Sequence, residues 1–270
     1  MNRGLLLRSL RETLPATLLF GGALFAVEAV FAIALPAFER SFAGPLLQLP
    51  FFQGVIQALL GVDAAESAGF GGLFTSIAWV HPVVLALVWA HAIGFCTRIP
   101  AGEVDRGTID ILLGLPVGRW QLYFHESLVW IASALAVSGC AGAGSLIGML
   151  GGGARIPLAR LALLVANLFC LSLVVGGFAW MSSTLADRRG HAIGSTFAAV
   201  LSVFLVNYLG QFWTVAARVS FLTPLHYYGP LRIIREGTVP AADILILLAA
   251  SAVFWLAGGI IFSRRDLVAV

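Results

Sequence analysis

GEVDRGTIDILLGLPVGRWQ, residues 102–121, is the stretch around which the rest of the chain is read. It carries Glu103, Asp105, Arg106, Asp110 and Arg119 in a chain that is 60% hydrophobic and 11% charged. Apolar runs of membrane-crossing length lie on both sides of it. Thr108 is placed to cap a short helix, its hydroxyl accepting from a free N–H of the next turn. Asp110 in the first turn suits the positive end of that helix. Ile109, Leu112 and Leu113 then share one face, and Pro116 and Gly118 end the element. Either lipid or a groove on a partner protein would absorb such a face.

The mean hydropathy of +0.96 is far above that of an ordinary soluble domain. Runs long enough to cross a bilayer as helices recur at residues 14–35, 76–96, 122–149, 157–185, 192–213 and 244–262. The expectation is an all-α membrane protein of six transmembrane helices, forming one domain over residues 1–270. Ahead of the first span, Leu5, Leu6 and Leu10 alternate with Arg3, Arg8 and Arg11, the pattern of an N-terminal interfacial helix lying along a membrane surface. Residues 36–75 form a long Gly- and Pro-containing connection, with 69–72 a turn, and 151–153 form a tight Gly turn. Residues 231–234 are too few to cross and read as a cap or shallow insertion.

Polar groups inside the spans need partners. Glu28 in the first span costs about 2.5–3.5 kcal/mol at the centre of a bilayer. It is therefore either a hydrogen-bonded packing residue or part of a substrate path, and Asn207 and Gln211 near the end of the fifth span are further path candidates. Gly144 and Gly148 form a small-xxx-small face for close packing of another membrane helix. His81 and His91 lack the spacing of a metal site, and Cys96, Cys140 and Cys170 form neither a CxxC motif nor a paired framework. No catalytic, cofactor or metal residue is assigned. All 16 basic residues are Arg. A phosphate-binding P-loop needs a Lys, so any ATP chemistry is expected on another polypeptide, and the scattered Arg residues give no nucleic-acid footprint.

Arg3, Arg8, Arg11, Arg98, Arg106, Arg119, Arg188, Arg189, Arg264 and Arg265 fall on one side of the six spans. The other side has Arg40, Arg155, Arg160, Arg218, Arg232 and Arg235, in longer loops. The positive-inside rule then places both termini and residues 102–121 in the cytoplasm.

Residues 103–121 (EVDRGTIDILLGLPVGRWQ) resemble the cytoplasmic signature of ABC-2-type transporter permeases: an acidic residue, Gly-Thr, a Leu-rich helix, Pro and a following Arg. Residues 222–231 (LTPLHYYGPL) resemble the segment before the last span of that family, and residues 262–267 (FSRRDL) its closing F-x-R-R-D-L. His125 and Glu126 stand where members often carry a basic residue at the start of the third span. The resemblance implies the membrane subunit of an ATP-binding-cassette transporter, multi-pass in the inner (cytoplasmic) membrane, with export as the family tendency. It implies a second permease copy, identical or paralogous, and a separate ABC ATPase subunit that holds ATP and Mg. Residues 107–115 would be the coupling helix between spans 2 and 3. In that reading Ile109, Leu112 and Leu113 fill the ATPase groove. Glu103, Asp105, Arg106 and Arg119 orient it, and Gly107, Thr108 and Pro116 shape it. An ion-coupled secondary transporter would usually show repeats or several intramembrane charges. An intramembrane enzyme would need Glu28, His81, His91 and Glu126 to converge.

Overall fold

The computed structural model describes residues 3–46, 49–60, 73–114, 116–151 and 155–265. The turn at 69–72, Leu115, Gly152, Gly153, Asp266 and Leu267 lie outside the described residues. Among those described there is no strand. The elements in order are α1 (Arg3–Leu46), α2 (Pro50–Leu60), α3 (Leu73–Val80), α4 (Pro82–Cys96), α5 (Ala101–Asp105) and α6 (Ile109–Leu113). There follow α7 (Arg119–Leu150), α8 (Leu158–Leu185), α9 (Arg189–Leu209), α10 (Thr214–Val219), two single 3-10 turns, α11 (Pro230–Glu236) and α12 (Ala241–Arg264). Six helical stretches are long and apolar enough to cross a membrane: Gly4–Phe38, Thr75–Cys96, Arg119–Leu150, Leu158–Leu185, Arg189–Leu209 and Ala241–Arg264.

The start of the chain departs from the sequence reading. No separate interfacial helix precedes the first span; α1 is continuous over 44 residues, about 66 Å at the helical rise, longer than a bilayer is thick. The reason is visible in its first turns. Leu5, Ser9 and Thr13 recur every fourth residue and are buried, so protein contacts, rather than a lipid surface, hold this end. The second span is instead broken. His81 interrupts it between α3 and α4, its Nδ1 accepting from the Val83 N–H at 3.3 Å. Pro82 follows at the first position of α4, where its missing N–H costs nothing.

α1 and α7 run parallel and in register. Ser9 donates to Glu126 at 2.7 Å and Ser145 donates to Glu28 at 2.8 Å, each pair 117 residues apart in sequence. Between them Thr17 and Ser133 share a 2.6 Å hydrogen bond, and His91 of α4 joins Ser133 at 2.9 Å. The predicted small-residue face closes this seam. A Cβ at Gly144 would lie 2.2 Å from the Phe25 carbonyl oxygen, and one at Gly148 would lie 2.5 Å from the Ala32 Cβ. On the other side of the bundle α8 packs on α12, with Gly177 against the Ser251 backbone at 2.8 Å from an added Cβ.

The end of the bundle remote from α5 and α6 is closed by short elements. α11 buries Ile233 and Ile234 and caps the bundle. Arg160 donates to the Ile234 carbonyl, and Tyr228 donates to the Trp79 carbonyl at 2.9 Å. Gly237 ends α11 with φ +73, the left-handed conformation that glycine adopts without strain.

Candidate functional site

The segment joining α4 to α7 is an elbow of two five-residue helices. Thr97 ends α4 by donating its hydroxyl to the Ile93 carbonyl at 2.7 Å. The chain turns back on itself, the Gly102 N–H reaching the Thr97 carbonyl at 3.2 Å. Gly107, at φ +68, makes the second turn, and the Thr108 N–H closes it on the Glu103 carbonyl at 2.9 Å.

Glu103 is the buried centre of the elbow. Arg106 donates to it at 2.6 Å and Arg8 of α1 stands at 3.7 Å. Thr108 donates its hydroxyl to the same carboxylate and makes no side-chain cap for α6, contrary to the capping role expected of it. A buried carboxylate is costly unless it is well supplied with donors, and this one recruits the hydroxyl. Asp105 and Asp110 are exposed, as are Gly107 and Pro116.

The apolar face of α6 points the other way from the one expected of a docking surface. Ile109 and Leu112 are 0% and 3% exposed and belong to the chain's own core, with Val104, Ile99 and Leu5. Leu113 packs on the same cluster. As placed, they are not open to a partner. The reason is that the elbow folds back under α1, α4 and α7, and a five-residue helix has only one greasy stripe to bury. The side chain left outward is Ile111, 74% exposed. It borders an open groove of about 360 Å³ lined by Arg8, Glu12, Glu103, Arg106, Thr108 and Leu112. The arrangement offers one bare isoleucine beside both signs of charge.

Sequence reasoning did not find the joint that fixes the elbow to the spans. Arg98 donates to Glu126 of α7 and to Glu12 of α1, and to the Ser9 hydroxyl at 2.9 Å. Its guanidinium lies 5.7 Å from the centre of the Phe95 ring. The available signal was the pair of charges flanking the elbow, Arg98 just past the end of the second span and Glu126 just inside the third. Arg119, at the start of α7, donates to the Phe262 and Arg265 carbonyls at 3.4 and 2.5 Å. Arg265 donates to the Thr184 carbonyl at 2.7 Å and pairs with Asp187. Arg189 donates to the Gly94 carbonyl at 2.9 Å. Four of the arginines counted on the elbow's side of the chain, Arg98, Arg119, Arg189 and Arg265, thus tie together the ends of the spans that meet there.

The three path candidates are not brought together. Glu28 is fully buried in the α1–α7 seam, with one oxygen on Ser145 and the other without a partner among the described residues. Asn207 lines a small cavity of about 40 Å³ with Tyr208 and Tyr228, and the Thr223 hydroxyl donates to it at 3.5 Å. Gln211 follows α9, its carbonyl accepting from Gln57 at 3.4 Å. Glu28, His81, His91 and Glu126 each have separate partners and form no catalytic cluster.

No curated protein matches the sequence closely. A family model described as "ABC-2 family transporter protein" matches residues 18–267, from within the first span through the elbow to beyond the end of α12. The chain belongs to the ABC-2 family of transporter proteins, as a multi-pass membrane permease that is not itself the ATPase.

Proposed function

We propose that this chain is the permease subunit of an ABC exporter in the inner membrane, with the elbow and both termini in the cytoplasm. A separate ATPase subunit, holding ATP and Mg, docks on the elbow, and two permease copies enclose the substrate path. The observation that carries this reading is α6: an exposed Ile111 beside a charged groove, on an elbow bonded through Glu103 and Arg98 to α1 and α7. A push on such an element is passed directly to the spans.

The contact set of the expected coupling helix is revised accordingly. Asp110, Ile111 and Arg106 face the ATPase, while Ile109, Leu112 and Leu113 anchor α6 to the bundle. Glu103, Thr108 and Gly107 hold the elbow's shape, Asp105 and Pro116 flank the contact, and Arg119 ties α7 to the end of α12. The path runs along α1, the second span and α9, with Glu28, Asn207 and Gln211 as candidate lining residues. The exposed stripe Ile193, Phe197, Leu201 and Leu205 on α9, at four-residue intervals, supports a second copy on that side.

The partner ATPase is sought in an adjacent reading frame that encodes a P-loop. The complex is then purified and its ATPase rate measured with each variant. Ile111→Asp abolishes stimulation by the permease while insertion and thermal midpoint stay unchanged. Leu112→Asp puts a charge into the core and lowers the yield of folded protein. Normal stimulation with Ile111→Asp would sink the coupling assignment.

A further inference from the structure

α7, α8 and α12 enclose a groove of about 230 Å³ at the side of the bundle away from α1. Phe124 and Ile131 form one wall, Leu248 and Trp255 the other, and Gly177 and Trp180 lie between them. Trp255 is satisfied, donating its Nε1–H to the Ser127 hydroxyl at 2.6 Å, and that hydroxyl in turn donates to the Tyr123 carbonyl at 2.7 Å. Trp180 is not. It is 1% exposed, and its Nε1–H has no acceptor among the described residues. A buried donor without an acceptor is costly, and the remaining lining of the groove is nearly all carbon.

The groove lies close to the elbow end of its helices. Phe124 is one to two turns from the start of α7 and Trp180 a similar distance from the end of α8. The aromatic rings there contact one another, Tyr123 with Trp180 at 4.9 Å and Trp120 with Trp255 at 6.3 Å. Such a belt marks the headgroup depth of a membrane. Arg119 sits above it. Its hydrogen bonds to the Phe262 and Arg265 carbonyls hold the guanidinium between α7 and α12, the two walls of the groove. No carboxylate among the described residues pairs with Arg119. From Phe124 to Arg119 the helical rise is about 7.5 Å, comparable to the reach from an acyl ester to its phosphate.

We propose that this groove holds one acyl chain of an anionic phospholipid, with the phosphate at Arg119. An apolar helix from another protein would fill the carbon walls but would supply no anion for the guanidinium. The site is independent of the ATPase and of the transport path.

The test uses the full purified chain in mild detergent, with phosphatidylglycerol or phosphatidylcholine of identical acyl chains added, and native mass spectrometry to count bound lipid. The wild type retains phosphatidylglycerol about fivefold better, the preference that one near-surface arginine supplies. Arg119→Gln removes that preference and leaves phosphatidylcholine retention as it was. Ala252→Phe fills the groove from an exposed position on its rim and lowers retention of both lipids at least about tenfold. Three results would overturn the proposal. They are equal retention of the two lipids by the wild type, undiminished retention in Ala252→Phe, and loss of oligomer in Ala252→Phe with the lipid adduct intact. The last would make the groove a protein interface.

Discussion

The two ends of the α1–α7 seam each bury a carboxylate, and they treat it differently. At the elbow end Glu126 accepts from Ser9 and pairs with Arg98, which also holds Glu12. At the other end Glu28 accepts only from Ser145, and its second oxygen has no partner among the described residues. Backbone contact through Gly144 and Gly148 closes the seam there instead. The same pair of helices thus uses a cation at one end of the seam and glycines at the other. The difference separates a carboxylate with a structural task from one whose bonding is incomplete.

Removing Arg98 is the strongest way to break this contrast. The Arg98 and Glu126 side chains are 11% and 6% exposed. Deleting one member of a pair this buried costs about 3–5 kcal/mol, because the other charge is left without compensation. Arg98→Ala is expected to lower the thermal midpoint in detergent by the largest margin of any single change in the seam. Adding Glu126→Gln restores part of it, and the double-mutant cycle measures the coupling. A loss below about 1 kcal/mol would mean that water screens the elbow end as it does a surface pair. The two ends would then no longer differ in kind.

The glycine end is tested by Gly144→Ala. The added methyl would sit 2.2 Å from the Phe25 carbonyl oxygen, a backbone atom that cannot swing aside. α1 and α7 must move apart, at about 1–3 kcal/mol. The loss should come with a weakened Ser145–Glu28 contact and an intact Arg98 network, read from site-specific hydrogen exchange along α1. Equal loosening of both ends would show that the seam responds as one rigid unit.

Much of this was legible in the sequence. The six spans follow from apolar length alone, and Gly144 and Gly148 announced close packing by their spacing. The elbow was legible as a polar, helix-forming break between two spans. The direction of its greasy face was not. Ile109, Leu112 and Leu113 on one stripe fit a partner's groove and the chain's own core equally well, and only the fold-back of α5 and α6 beneath α1 separates the two. The interfacial helix was misread because Arg3, Arg8 and Arg11 suggested a membrane surface. The buried set Leu5, Ser9 and Thr13 became informative only once α7 was found beside it. The Arg98 joint depends on a register between helices 117 residues apart, which local pattern does not encode.

The smallest effect on stability, and the most informative about transport, is expected from Glu28→Gln. The glutamine carbonyl still accepts from Ser145, so the contact seen at 2.8 Å survives. Its amide takes the place of an oxygen that had no partner, and the net change stays within about 1 kcal/mol. Glu126→Gln in contrast gives up the ion pair with Arg98 and loses several times as much. Because the fold is nearly indifferent to Glu28→Gln, a shift in the range of transported substrates would report the charge itself. It would place the unpartnered oxygen on the path. An unchanged range together with unchanged stability would leave Glu28 as a packing residue of the seam, and the incomplete bonding at that end would then be the cost of bringing the glycine face of α7 into contact with the α1 backbone.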